Sequence, residues 1–181
     1  MDNYQKFAVL VIDPQNGWIN NYTEKLFERI YSFISEYGLN GVTLIATFSN
    51  TPKSKFRKLL SWWDGFTDKV DTGIIPPFNN GQFPVFRRRT YGMPPSFWRA
   101  LRLRGVDELL ITGVETDASV IKIAMDAFDR GINSWIVAEL VGSTYGESGQ
   151  EAGLRIARKV LGKDHVYGSA HEFFRRVVLH A

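Results

Sequence analysis

Phe7-Ala-Val-Leu-Val-Ile12 is a continuous apolar run that stops dead at Asp13-Pro14, and short runs of the same kind recur along the chain with a helical stripe between them. A run of strand length with no polar alternation suits a strand buried on both faces, which is the habit of parallel sheets. The first stripe is Leu26, Phe27, Ile30, Phe33 and Ile34, spaced by three and four. It predicts a helix capped by Thr23, running to about Tyr37 and closed by Gly38. Further strands are expected at Val42–Phe48, Phe83–Phe86, Leu109–Thr112, Ser134–Leu140 and Val166–Tyr167. Further helices are expected from Ser54 (with Phe56, Leu59, Leu60 and Trp63 on one side), from Pro95 to Arg104, from Thr116 or Asp117 to Arg130, from Glu147 to Leu161 and from Ser169 to Leu179. Strands that alternate with helices make an α/β protein whose parallel sheet is covered on both faces.

Only one connection breaks the pattern. Asp64 to Gln82, with Pro76-Pro77 and Asn79-Asn80-Gly81, is long and rich in turn residues, so it is expected to be a lid over the site or an interface segment. With 181 residues and neither repeats nor low-complexity tracts, residues 1–181 read as one domain. The 44% hydrophobic content is too high for a disordered chain. No apolar run approaches the ~20 residues of a membrane span. The N-terminus lacks the basic-then-apolar pattern of a secretory leader, so a cytoplasmic protein is expected. Cysteine is absent, which excludes disulfides, thiolate metal ligands and a thiol nucleophile. The three histidines, at 165, 171 and 180, are too scattered for a metal site. A net charge of +3 and clusters such as Arg87-Arg88-Arg89 come with no nucleic-acid motif, so solvated helix faces and no nucleic-acid partner are expected.

In doubly wound sheets ligands bind at the carboxyl ends of the strands. Three of those ends carry chemistry here: Asp13-Pro14-Gln15-Asn16-Gly17-Trp18 after strand 1, Arg87 to Gly92 after strand 3, and Gly113-Val-Glu-Thr-Asp-Ala-Ser119 after strand 4. A carboxylate, a guanidinium and a hydroxyl at a helix start are the ingredients of a base, a charge stabiliser and a nucleophile. On residues alone they support a small-molecule site, and each has a plainer reading as a turn former, a solvated charge or a tolerated helix polar. No dinucleotide fingerprint follows strand 1. The glycine-rich stretch Gly142 to Gly149 offers backbone amides to an anion, which is a weak signal by itself.

At these same residues the chain resembles the isochorismatase-like family of cysteine hydrolases, which includes nicotinamidases and N-carbamoylsarcosine amidohydrolases. The resemblance covers nearly the whole chain: Val9-Leu-Val-Ile-Asp13-Pro-Gln15, then Asn50-Thr51-Pro52 with Ser54, Phe56 and Trp62 or Trp63, then Gly113-Val-Glu-Thr-Asp-Ala-Ser-Val120 against a Gly-Val-x-Thr-Asp-x-Cys-Val pattern. It implies a three-layer α/β/α sandwich with strand order 3-2-1-4-5-6. It also implies a hydrolase acting on a non-peptide C–N bond, with Asp13 as the catalytic carboxylate. The family's cysteine falls at Ser119, and its lysine at Arg88, with Arg87 and Arg89 as neighbouring alternatives. Gln15, Trp18, Trp62, Tyr91, Glu115 and Thr116 are then expected around the substrate, with an oxyanion hole from the amides of Glu115 and Ser119 and a cis peptide before residue 115. The family's zinc ligands have no counterpart in Thr51-Pro52-Lys53, so no metal and no cofactor are expected. The partner is a small molecule, and a homodimer or homotetramer is implied, with Trp62, Trp63, Trp98, Phe173 and Phe174 as surface candidates or as ordinary core.

Two departures from the family decide the chemistry. A thiol ionises near 8.5 and is lowered further by a helix start and a cation. A serine hydroxyl is a far weaker acid and needs a base, for which an ordinary aspartate near 3.9 is poorly suited. Arg88 stays protonated and only holds an anion. Amide hydrolysis by the cysteine route should therefore be very slow or absent. Three explanations stand: Ser119 was introduced to trap a substrate; the chain runs another reaction, as do members that cleave the isochorismate vinyl ether with the aspartate as acid; or it is a silent pseudoenzyme that keeps the pocket for a ligand or partner.

Overall fold

The computed structural model describes residues 6–179; Met1–Gln5 and His180–Ala181, on which the leader reading and part of the histidine reading drew, lie outside them. Six strands form one sheet: β1 (Phe7–Ile12), β2 (Thr43–Phe48), β3 (Val85–Arg88), β4 (Glu108–Val114), β5 (Asn133–Gly142) and β6 (Val166–Tyr167). Their order is β3-β2-β1-β4-β5-β6, and every pairing is parallel. This is the expected α/β arrangement, in the expected strand order.

The β pleat explains why β1 carries no polar alternation. Ala8, Leu10 and Ile12 face one core, together with Phe97 and Leu101 of α3 (Pro95–Leu103), Ile123 and Ala127 of α4 (Ile121–Phe128), and Leu154 of α5 (Glu147–Val160). Phe7, Val9 and Val11 face the other, against Phe27, Ile30 and Ile34 of α1 (Leu26–Glu36) and Phe173 of α6 (Ala170–Phe173). Strand side chains alternate between faces, so a strand sandwiched between two helical layers must be apolar at every position.

Several boundaries differ from the sequence expectation. The first helix starts at Leu26, two residues late, because the Thr23 hydroxyl turns back to the Trp18 carbonyl and the Asn20 amide instead of capping forward. The helix after Ser54 is only α2 (Lys55–Leu59), and Leu59 is exposed while Phe56 alone is buried. β3 begins at Val85, two residues late, since Pro84 has no N–H to give a ladder and Phe83 packs against Phe78. β5 runs on to Gly142: after a register shift, Val141 and Gly142 pair with Gly113 and Val114. The stretch from Thr116 to Val120 is a π-helical turn ahead of α4, and the last helix likewise ends in a π-helical turn, Phe174–Val178.

Of the aromatics considered for the surface, Phe173 and Phe174 are core, Trp98 is half-buried with the Arg130 guanidinium 4.6 Å from its ring, Trp63 is half-buried, and Trp62 is exposed. Among the described residues no helix is long and apolar enough to cross a membrane.

One contact sets the geometry of the sheet's centre. Gly113 has φ +97°, and a Cβ there would stand 2.1 Å from the Ile12 carbonyl oxygen. Only glycine lets β1 and β4 approach this closely at the point where both strands end.

Candidate active site

Asp13 is the first residue past β1. It holds a left-handed φ of +53° and its amide donates to the Ala46 carbonyl at 2.9 Å. That turn sends its carboxyl into the molecule, where it is fully buried. Arg88, the last residue of β3, lies across β2 and meets it: Nη2 donates to Asp13 Oδ2 and also to Ser119 Oγ at 3.0 Å. The other guanidinium arm, Nη1, donates to the carbonyls of Thr90 and Tyr91. The Phe48 ring lies 5.3 Å below the guanidinium carbon. Arg87 and Arg89 are exposed, as strand alternation requires once Arg88 points inward. A carboxylate, a guanidinium and a hydroxyl drawn from residues 13, 88 and 119 therefore meet in one place.

The electrostatics are a contest. Burial raises the Asp13 carboxyl from its ordinary 3.8 to about 6; Arg88 pulls it down by charge and hydrogen bond, and Glu115 pushes it slightly further up. Burial wins because removing an ion from water costs more than one partner returns. Oδ1 is buried with no hydrogen-bond partner.

Ser119 sits in the π-helical turn, whose Ala118 and Val120 amides both donate to the Glu115 carbonyl. Its Oγ accepts from Arg88 and donates to no base among the described residues. Neither described histidine is close: His165 stacks on Trp135 and bonds the Ser134 carbonyl, and His171 bonds the Tyr37 hydroxyl at 3.0 Å. The peptide between Val114 and Glu115 is cis.

Glu115 is buried, and each of its oxygens is used. Oε2 accepts from the Thr144 amide at 2.8 Å and Oε1 from the Thr144 hydroxyl at 2.7 Å. Burial raises its pKa against the lowering effect of those bonds. The glycine-rich loop after β5 thus does hold an anion on a backbone amide, and the anion is the chain's own carboxylate.

Space in front of Arg88, Ser119 and Glu115 comes in two parts, neither of which Asp13 lines. A small inner pocket of about 40 Å³ is lined by Arg88, Ser119, Glu115 and aromatic rings. That is room for a water-sized group. It shares Trp18, Phe56, Trp63, Tyr91, Glu115 and Ala118 with an outer chamber of about 380 Å³, which Asn20, Leu60, Trp62, Thr144 and Tyr145 complete. Trp18 stacks on Phe66 with ring centres 4.4 Å apart, and Phe66 comes from the long Asp64–Gln82 connection. The connection walls the cleft from behind.

Two residues expected around the substrate are committed elsewhere. The Gln15 amide donates to the carbonyls of Phe48 and Thr72 and accepts from the Phe48 amide, so it pins the end of β2 to the long connection. The Thr116 hydroxyl donates to Gln150 Oε1 of α5. Trp18, Trp62, Tyr91 and Glu115 do line the cleft, and so does Trp63 beside Trp62. The sequence places Phe56 on a helix face and within the family resemblance without marking it as a wall, and it gives no reading of Asn20, Thr144 or Tyr145 as walls. The glycines around Thr144 were the only signal, and they marked a loop without saying where it folds.

The Isochorismatase domain family matches residues 7–163. Among solved structures, the fold is similar to a cysteine hydrolase from Pseudomonas syringae pv. phaseolicola (TM-score 0.82, 14% identity, 99% of this chain and 95% of that one). It is also similar to a pyrazinamidase/nicotinamidase from Streptococcus mutans (0.74, 18%, 86% and 97%) and an N-carbamoylsarcosine amidase from Thermoplasma acidophilum (0.74, 17%, 90% and 94%). No curated protein sequence is significantly similar to the chain.

Proposed function

We propose, from the premise that the chain belongs to the isochorismatase family of hydrolases, that its cleft binds a small flat molecule without hydrolysing it through a covalent nucleophile. The observation that carries this reading is the fork of Arg88. One nitrogen donates to both Asp13 and Ser119 Oγ, so the hydroxyl faces a permanent proton donor where a nucleophile needs a proton acceptor. A thiolate in that position would be stabilised by the same cation; a serine, with its far higher pKa, is not ionised by it. The Asp13 oxygen nearest the pair is already held by Arg88, which leaves the site as a pseudoenzyme centre on a hydrolase frame.

The test is ammonia release from nicotinamide, pyrazinamide and N-carbamoylsarcosine, the amides named by the similar structures. The wild type and Ser119→Ala should both be silent, and Ser119→Cys/Arg88→Lys should gain turnover on at least one of them. Wild-type turnover with a burst of one product per chain, lost in Ser119→Ala, would refute the reading.

A second reading is favoured by one observation, the pKa of Asp13 near 6 with Oδ1 unpartnered. Such a carboxyl is a general acid that protonates a substrate while water adds to it. This reaction would quicken as the pH falls through about 6, vanish in Asp13→Asn and survive in Ser119→Ala.

A further inference from the structure

The walls of the outer chamber have a chemical bias that the Asp13–Arg88–Ser119 centre does not explain. Six of them are aromatic: Trp18, Phe56, Trp62, Trp63, Tyr91 and Tyr145. The one acidic or basic side chain among them is Glu115. Arg88 reaches only the inner pocket, where Asp13 neutralises it, and Lys55 borders the separate groove beyond Phe56. Asp117, within electrostatic range of Glu115, adds charge of the same sign. With Arg88 paired to Asp13, Glu115 is the one formal charge on the chamber's walls.

Aromatic faces carry the negative side of a quadrupole, and a ring of them beside one carboxylate is a receptor for a positively charged nitrogen. Four of the rings are held in advance: Phe56 packs on Tyr91 and Trp63 with centres 4.7 and 5.6 Å apart, and Trp18 stacks on Phe66; Trp62 and Tyr145 stand exposed at the mouth. Glu115 is equally fixed. Both its oxygens are satisfied by Thr144, so it acts on a ligand through space and asks it for no hydrogen bond. That suits a nitrogen with no N–H to give.

We propose that the cleft selects a small organic cation of the pyridinium or quaternary ammonium class, with the aromatic walls as its cage and Glu115 as its counter-charge. This rests on the reading of the cleft as a small-molecule site. A molecule of this class fits a chamber of about 380 Å³, and it would be repelled from a site whose arginine stood unpaired.

The experiment compares three molecules of nearly one shape: 1-methylnicotinamide (cation), nicotinamide (neutral) and nicotinate (anion). Binding is followed by tryptophan quenching and calorimetry, with ammonia release read in the same mixtures. The cation should bind about tenfold or more tighter than the neutral amide, as a few ring contacts plus one carboxylate supply. Nicotinate should bind weakest. Glu115→Gln should bring the cation and neutral affinities close together, and Tyr91→Leu should weaken the cation selectively. Equal or tighter binding of nicotinamide or nicotinate overturns the proposal, as does a cation preference untouched in both variants. Silence of all three, with tetramethylammonium also unbound, overturns it too. Ammonia released from the bound cation would refute the silent-cleft reading and leave the charge preference standing.

Discussion

Lowering the pH from 7 to 5 should stabilise this protein by about 1 kcal/mol through Asp13 alone. In the unfolded chain the carboxyl takes up its proton near 3.8, and in the folded chain near 6. Between those values the folded state binds more protons, so stability grows as the pH falls through about 6 and levels off below 3.8. The full gain is about 3 kcal/mol, from about 1.4 kcal/mol for each pH unit between the two values. The first part, from pH 7 to 5, corresponds to a rise in Tm of about 2–4 °C for a chain of this size. Urea unfolding at pH 7, 6 and 5 reads it directly. Other groups titrate in this range, Glu115 among them, so the informative quantity is the difference from a chain lacking the Asp13 carboxyl. Asp13→Asn alone strands the buried Arg88 charge at a cost of about 3–5 kcal/mol, so Asp13→Asn/Arg88→Met, which removes both charges, is the companion variant. The wild type should gain on this variant as the pH falls. A flat difference, or a loss toward pH 5, would mean that Arg88 outweighs burial and holds the carboxyl at or below its ordinary value. The acid-catalysis reading would fall with it.

Two further substitutions probe the frame. In Gly153→Ala, the new Cβ would lie 2.6 Å from the Thr116 carbonyl carbon and 2.7 Å from its oxygen. α5 must back away from the turn that carries Ser119, at about 1–3 kcal/mol, visible as a lowered Tm. Gln15→Leu leaves the buried Phe48 amide without its acceptor, a loss of about 1–3 kcal/mol; hydrogen exchange at Phe48 should quicken well before exchange at Leu10.

The layers were legible because buried parallel strands and helix stripes write themselves as local patterns, whereas the strand order followed only from the family resemblance, since no local pattern states which strands are neighbours. Asp13 and Ser119 were legible because each follows a strand end. Arg88 was favoured over its neighbours Arg87 and Arg89 only by the resemblance; the pleat of β3 turns it inward and leaves the other two in water. Gln15 and Thr116 looked like ligand contacts because a polar residue beside a site invites that reading. Their partners, Phe48 and Thr72 for one and Gln150 for the other, lie more than 30 residues away, and no local pattern announces such pairings. Trp62 and Trp63 are chain neighbours whose different exposure depends on how the chain turns after Leu60, which helix periodicity misjudged because α2 stops at Leu59.

The near-collision of β1 and β4 at Gly113 has an evolutionary meaning. Main chain, not side chains, sets how far the residue after one strand stands from the turn after the other. Reagents mounted on such a rigid jig are interchangeable parts: a lineage can retire its chemistry, or reinstate it, through a couple of codons while the scaffold goes on folding as before.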